Sequence, residues 1–147
     1  MASATVGLVF KVTPEGVLTL LHSFNNSKSG YFPFAGLLQD TNGTFYGDTF
    51  YSSLPYGDGI IYSLSVGLGP FAKSVPTVGK IGTPVKILGN NLKFATGVAF
   101  NGVAATFTAE SGTYIKATVP AGATTGPVVV TLPTGTLTSN VSFQVLQ

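Results

Sequence analysis

Glycine and proline interrupt this chain so often that no long helix fits between them. There are 19 Gly and 9 Pro among 147 residues. Inside a helix a Gly costs roughly 1 kcal/mol and a Pro about 3. Between these breakers lie runs of β-branched and aromatic residues. The combination predicts an all-β chain of short strands and tight turns.

The first half reads as strand, turn, strand. GLVFKV at 7–12 and VLTLLHSF at 17–24 are joined by TPEG at 13–16, where Pro14 presets φ and Gly16 accepts a positive one. AGLLQ at 35–39 and TFYGDTFY at 44–51 flank DTNG at 40–43, whose Asn42-Gly43 pair is expected to supply two positive φ angles. GIIYSL at 59–64 is the fifth strand. It matches GLVFKV in residue type, 52 positions on. A repeat of that length with about four strands is what a β-propeller blade presents.

Composition shifts at VGLGPF, 66–71. Aromatics crowd the sequence before it, and Val, Thr, Ala and Gly dominate after it. The expected organisation is a propeller-blade-like antiparallel sheet over 1–66, a linker over 67–72 and a sandwich over 73–147. Strands are expected at 84–88, 97–100, 104–108, 114–119, 126–132, 136–138 and 141–145, separated by GNN, NG, SG and Pro/Gly-rich turns. That spacing fits a small antiparallel sandwich. Phe100, Phe107, Tyr114, Ile115 and Phe143 are its expected core.

Charge excludes some functions. Charged residues are 8% of the chain, against roughly 25% in an ordinary domain. The net charge is +2, from scattered Lys and no Arg. Specific nucleic-acid binding needs a concentrated basic face, so no nucleic-acid partner is expected. Cys is absent, which removes disulfides and thiolate metal sites. No apolar run approaches the roughly 18 residues of a membrane span, and MASATVGLVF lacks the basic start of a signal peptide.

Both halves resemble known families. GLVFKVTPEGVLTLLHSF (7–24), PFAGLLQ (33–39), NGTFYGDT (42–49) and GDGIIYSL (57–64) resemble the GloVer-type tandem repeats of bacterial secreted and surface proteins. KSVPTVGKIGTPVKILGNNL (73–92), VAFNGVAATFT (98–108), YIKATVPAGATTGPVVVT (114–131) and SNVSFQV (139–145) resemble an IPT/TIG domain, an immunoglobulin-like sandwich. Repeats followed by one such sandwich look like the tail of a bacterial extracellular protein. The resemblance implies location outside the cell or at its surface, and a structural, adhesive or glycan-binding role without catalysis. Members of the repeat family carry many repeats; this chain holds one and a further strand.

Candidate chemistry is sparse. Glu15 and Asp40 sit in tight turns and Glu110 in a sandwich loop. Asp48 and Asp58 are the better acid pair, and His22 is the single histidine. A small hydrolase acting on a glycan or ester would use these three. The alternative is that both Asp cap loop N–H groups and that His22 packs in its strand beside Leu20 and Phe24. DTNGT at 40–44 offers oxygens to calcium, but a hairpin turn accounts for the same residues. No metal and no cofactor is expected. The aromatics are the most unusual feature. Tyr31, Phe32, Phe34, Phe45, Tyr46, Phe50, Tyr51 and Tyr56 fall within one short stretch. Tyr31, Phe34, Tyr46, Tyr51 and Tyr56 are the candidate ligand-binding residues, for a polysaccharide or a cell-surface protein. Missing neighbours would also expose such rings, and an uncharged final strand invites a homo-oligomer through the N-terminal repeat.

Overall fold

The computed structural model describes residues 6–25, 29–52 and 57–147. Their regular structure is fifteen short strands and one 3-10 turn. The protein is all-β, and no helix among the described residues is long and apolar enough to cross a membrane. The chain divides into two compact units. One is Met1–Asp40 with Thr44–Gly67; the other is Thr41–Gly43 with Leu68–Gln147.

In the first unit, β1 (Gly7–Val12) and β2 (Leu18–Phe24) form an antiparallel hairpin. Its turn closes with Thr13 N donating to Val17 O at 3.0 Å, and Gly16 takes φ 86°. Register slips once, so that Val9 faces His22 while Phe10 faces Leu20. Leu21 is therefore a bulge residue. The slip corrects half of the expectation that His22 shares one face with Leu20 and Phe24: it keeps the face of Phe24 and loses that of Leu20. Paired residues share a face and neighbours on β1 alternate, so Leu20 joins Phe10 on one side while His22 joins Val9 on the other. Val9 and Phe24 are buried. On the opposite side Leu8, Phe10, Val12, Leu18 and Leu20 each keep at least half their surface exposed.

The remaining strands, β3 (Leu38–Gln39), β4 (Phe45–Asp48) and β5 (Ile61–Leu64), form a separate antiparallel sheet in the order β3-β4-β5. The five strands thus fall into two sheets. Phe24, fully buried, is the centre of what core there is. It meets His22 edge-on at 4.7 Å and Tyr62 at 5.1 Å. Gly47 lies opposite Tyr62 in the register, and a Cβ there would meet the Tyr62 Oη at 2.5 Å. Only a residue without a side chain leaves that ring its place. At the 40–44 turn, Asp40 N donates to Thr44 O at 2.9 Å and Gly43 has φ 91°. Asn42 does not share the left-handed region, contrary to the sequence expectation. Gln39 pairs with Phe45, so the loop is five residues long and needs one left-handed residue at its end.

The second unit is a sandwich of two four-stranded sheets. One has the order β10 (Val103–Ala104), β9 (Gly97–Phe100), β13 (Val128–Leu132), β14 (Gly135–Thr138). The other runs β11 (Phe107–Ala109), β12 (Tyr114–Thr118), β8 (Pro84–Leu88), β6 (Lys73–Val75). A separate parallel pair is formed by β7 (Val78–Lys80) and β15 (Gln144–Leu146). The single strand expected over 104–108 is two strands, one in each sheet: the chain changes sheets between Ala104 and Phe107. Asn101-Gly102 is a two-residue turn with φ 44° and 86°, between the paired Phe100 and Val103.

Strict alternation fills the space between the sheets. Val85, Ile87, Ile115, Val128 and Val130 are fully buried, with Leu92, Phe100, Val119 and Phe143 beside them. Of the expected core, Phe100, Ile115 and Phe143 are buried, while Phe107 and Tyr114 are half-buried. Ala72, inside the stretch expected as linker, is fully buried in this core. Its N–H donates to Thr138 O at 3.1 Å.

Candidate functional site

The sequence YFPF at 31–34 cannot run as a ladder strand, because Pro33 has no N–H. Two neighbours hold it instead. Tyr31 N donates to Tyr51 O at 2.8 Å, and Phe50 N lies 3.1 Å from both Tyr31 O and Phe32 O. Phe32, wedged between these bonds and Pro33, takes φ 57°. A bulky residue there is strained by roughly 1–3 kcal/mol.

The result is a surface of five aromatic rings. Phe32 and Phe34 stack at 5.8 Å with only 10° between their planes. Phe34 meets Phe50 at 6.2 Å, and Phe50 meets Tyr51 edge-on at 4.7 Å. Phe32 also contacts Tyr31 at 6.5 Å and Tyr51 at 6.4 Å. Four of the rings are open to solvent, Phe34 at 79% and Phe50 at 62% most of all, while Tyr31 is half-buried. Three of the sequence candidates, Tyr31, Phe34 and Tyr51, come together here. Phe32 and Phe50 complete the surface, although sequence reasoning did not name them as ligand-binding residues. The signal for Phe50 was its place beside Tyr51 at the end of the aromatic stretch. Tyr46 stands on β4 across from Leu38 and Ser63, outside this cluster. Tyr56 lies outside the described residues.

The candidate acid–base groups are placed as follows. His22 lines a pocket of about 220 Å³ with Phe24, Ser29, Ile60, Tyr62, Ser63 and Leu64. Neither Asp48 nor Asp58 lines it. Asp48 ends β4 opposite Ile61, and its charge acts on Tyr62. Burial first, and that carboxylate second, raise the Tyr62 pKa above the ordinary 10.0. Asp58 is exposed in the approach to β5. Glu15, fully exposed in the hairpin turn, is held below the ordinary carboxylate range. The Thr13 hydroxyl is the first cause and its own backbone N–H the second. Among the described residues no three His, Asp or Glu side chains gather as a metal site.

Such an arrangement can bind flat, apolar-faced ligands; it does not bring an acid to the His22 pocket. No curated protein matches the chain. The family model for the IPT/TIG domain matches residues 71–145, which is the stretch that forms the sandwich. That match spans half of the sequence, and with its two facing sheets and alternating core it places the chain in the IPT/TIG domain family.

Proposed function

We propose that this protein is a non-catalytic binding module of an extracellular bacterial protein. On this reading the IPT/TIG sandwich is the structural partner, and the first unit is a GloVer-type repeat that contacts glycans and further copies of itself. The sandwich family supports the absence of catalysis, since IPT/TIG domains are immunoglobulin-like interaction modules. The carrying observation for glycan contact is the exposed Phe32–Phe34 stack with Phe50 and Tyr51 at its side. Sugar rings present apolar C–H faces of matching size, and aromatic faces are electron-rich. The strained φ of Phe32 fits this use, because strain persists where a geometry is held for a purpose.

The test is a binding survey with soluble and insoluble polysaccharides, measured by affinity electrophoresis and calorimetry. Phe34→Ala removes a ring that is almost wholly exposed, so folding should survive. Losing one stacking ring costs roughly 0.5–1.5 kcal/mol and some covered area, about tenfold in affinity. Phe94→Ala, an exposed ring of the sandwich, serves as the control and should leave binding unchanged. Failure to bind any neutral polysaccharide, or binding indifferent to Phe34, would overturn the glycan reading.

A further inference from the structure

Among the described residues of the first unit, four strands have an open edge: β1, β2, β3 and β5. Exposed edges recruit other strands unless something blunts them. Three of these four carry such a device. β1 bears Lys11 one residue from its end. β2 is bent by the bulge at Leu21. β3 is two residues long. β5 lacks charge, Pro and bulge: Ile61–Leu64 is IYSL, twice the length of β3.

The register shows which groups of β5 are open. Thr49 N donates to Ile60 O at 2.9 Å, so the backbone groups of Ile60, Tyr62 and Leu64 point toward β4. Those of Ile61 and Ser63 point the other way. No strand occupies that side among the described residues. The side chains sort in the same manner. Tyr62 turns inward onto Phe24, whereas Ile61 is 83% exposed.

We infer that β5 is a self-complementary docking edge whose occupant is β5 of a second copy, antiparallel about a two-fold axis at Tyr62. This deepens the proposed self-contact of the first unit and rests on it. The pairing puts Ile61 opposite Ser63 of the second copy and Ser63 opposite Ile61. Both are residues whose N–H and C=O face outward, so about four backbone hydrogen bonds form. The sheet becomes six strands, β3-β4-β5 continued by β5-β4-β3. Charge permits this register. Asp58 falls opposite Val66, so no like charges face each other. A two-fold pairing closes on itself and uses up the open edge, which favours a dimer over a filament. An unrelated extended peptide would gain the same backbone bonds, but only a second copy arrives with the same uncharged edge in a fixed, antiparallel register.

The experiment measures dimerisation of the full chain by sedimentation up to high micromolar concentration. Ser63→Pro deletes one outward N–H and leaves the β4-facing groups of Ile60, Tyr62 and Leu64 intact. Ile61→Lys puts a charge on the exposed edge without touching the core, and covers the case in which the Pro variant misfolds. Each should raise the dimer dissociation constant roughly tenfold or more, with near-ultraviolet circular dichroism unchanged. Leu20→Lys, on the bare face of the hairpin, should leave dimerisation as it is. A dimer indifferent to Ser63→Pro and Ile61→Lys, or one broken only by Leu20→Lys, overturns the edge assignment and leaves self-association standing. A wild-type chain that stays monomeric overturns both.

Discussion

Tyr62 is where the packing and the electrostatics of the first unit meet. Its ring covers Phe24 and fills the space that Gly47 leaves. Its phenol is held above the ordinary 10.0 by burial and then by Asp48. Raising the pKa of an acid in the folded state has a defined sign. Stability from the neutral phenol is complete below the unfolded value and is lost as pH climbs through the folded one. The first unit should therefore weaken at alkaline pH, beginning as pH passes the ordinary tyrosine value of 10.0. Titration of phenolate absorbance, taken as the difference from Tyr62→Phe, should show one tyrosine ionising late. Asp48→Asn should lower that value without returning it to 10.0, because burial is the larger cause. A Tyr62 that ionises with the exposed tyrosines would refute the placement.

At the scale of elements, the turns were the most legible feature and the sheet partners the least. Asn101-Gly102 illustrates the first. Its residue types demand a left-handed pair, and the two-residue loop adopts one. The Asn101 side chain then ties the turn to the 120s loop, its Nδ2 donating to Thr124 Oγ1 at 2.8 Å. Gly102→Ala places a Cβ at φ 86°, with open space around it. The cost is therefore backbone strain alone, about 1 kcal/mol. Chemical denaturation of the second unit should show a loss of that size, with its slope unchanged. An Ala variant as stable as the parent would mean the turn is not held left-handed.

Sheet partners escaped the sequence for physical reasons. KSV at 73–75 and VGK at 78–80 are three-residue strands around Pro76, too short to show alternation. The split near Ala105 depends on which sheet each half meets, and no local pattern records that. The bulge at Leu21 looks like ordinary alternation until β1 supplies the register. The candidate site was partly legible. Clustering of aromatics in the sequence pointed to a surface, but the left-handed Phe32 that aligns two of the rings precedes a proline, where an extended conformation is the ordinary expectation.

The two units differ most in how much they bury. The sandwich encloses nine large apolar side chains at 1% exposure or less: Val85, Ile87, Leu92, Phe100, Ile115, Val119, Val128, Val130 and Phe143. Each is worth roughly 1.5–3 kcal/mol against solvent before chain entropy is subtracted. Among the described residues of the first unit, Phe24 and Val9 are the buried apolar side chains, with Thr49 and Ser52 the buried polar ones. A unit of that size with so small a core is marginal alone. The chain should therefore unfold in two calorimetric steps, the first unit below the sandwich. A fragment of residues 68–147 should keep the upper step, because it retains Ala72 and its bond to Thr138. A start at residue 73 deletes that contact and should lower the step by several degrees. Association stabilises only the folded form that binds, so raising protein concentration should move the lower step upward and leave the upper one in place. In the Ile61→Lys variant the lower step should no longer respond to concentration. One merged transition, insensitive to concentration and lost in the 68–147 fragment, would show that the two units fold as one and that the sandwich does not stand alone.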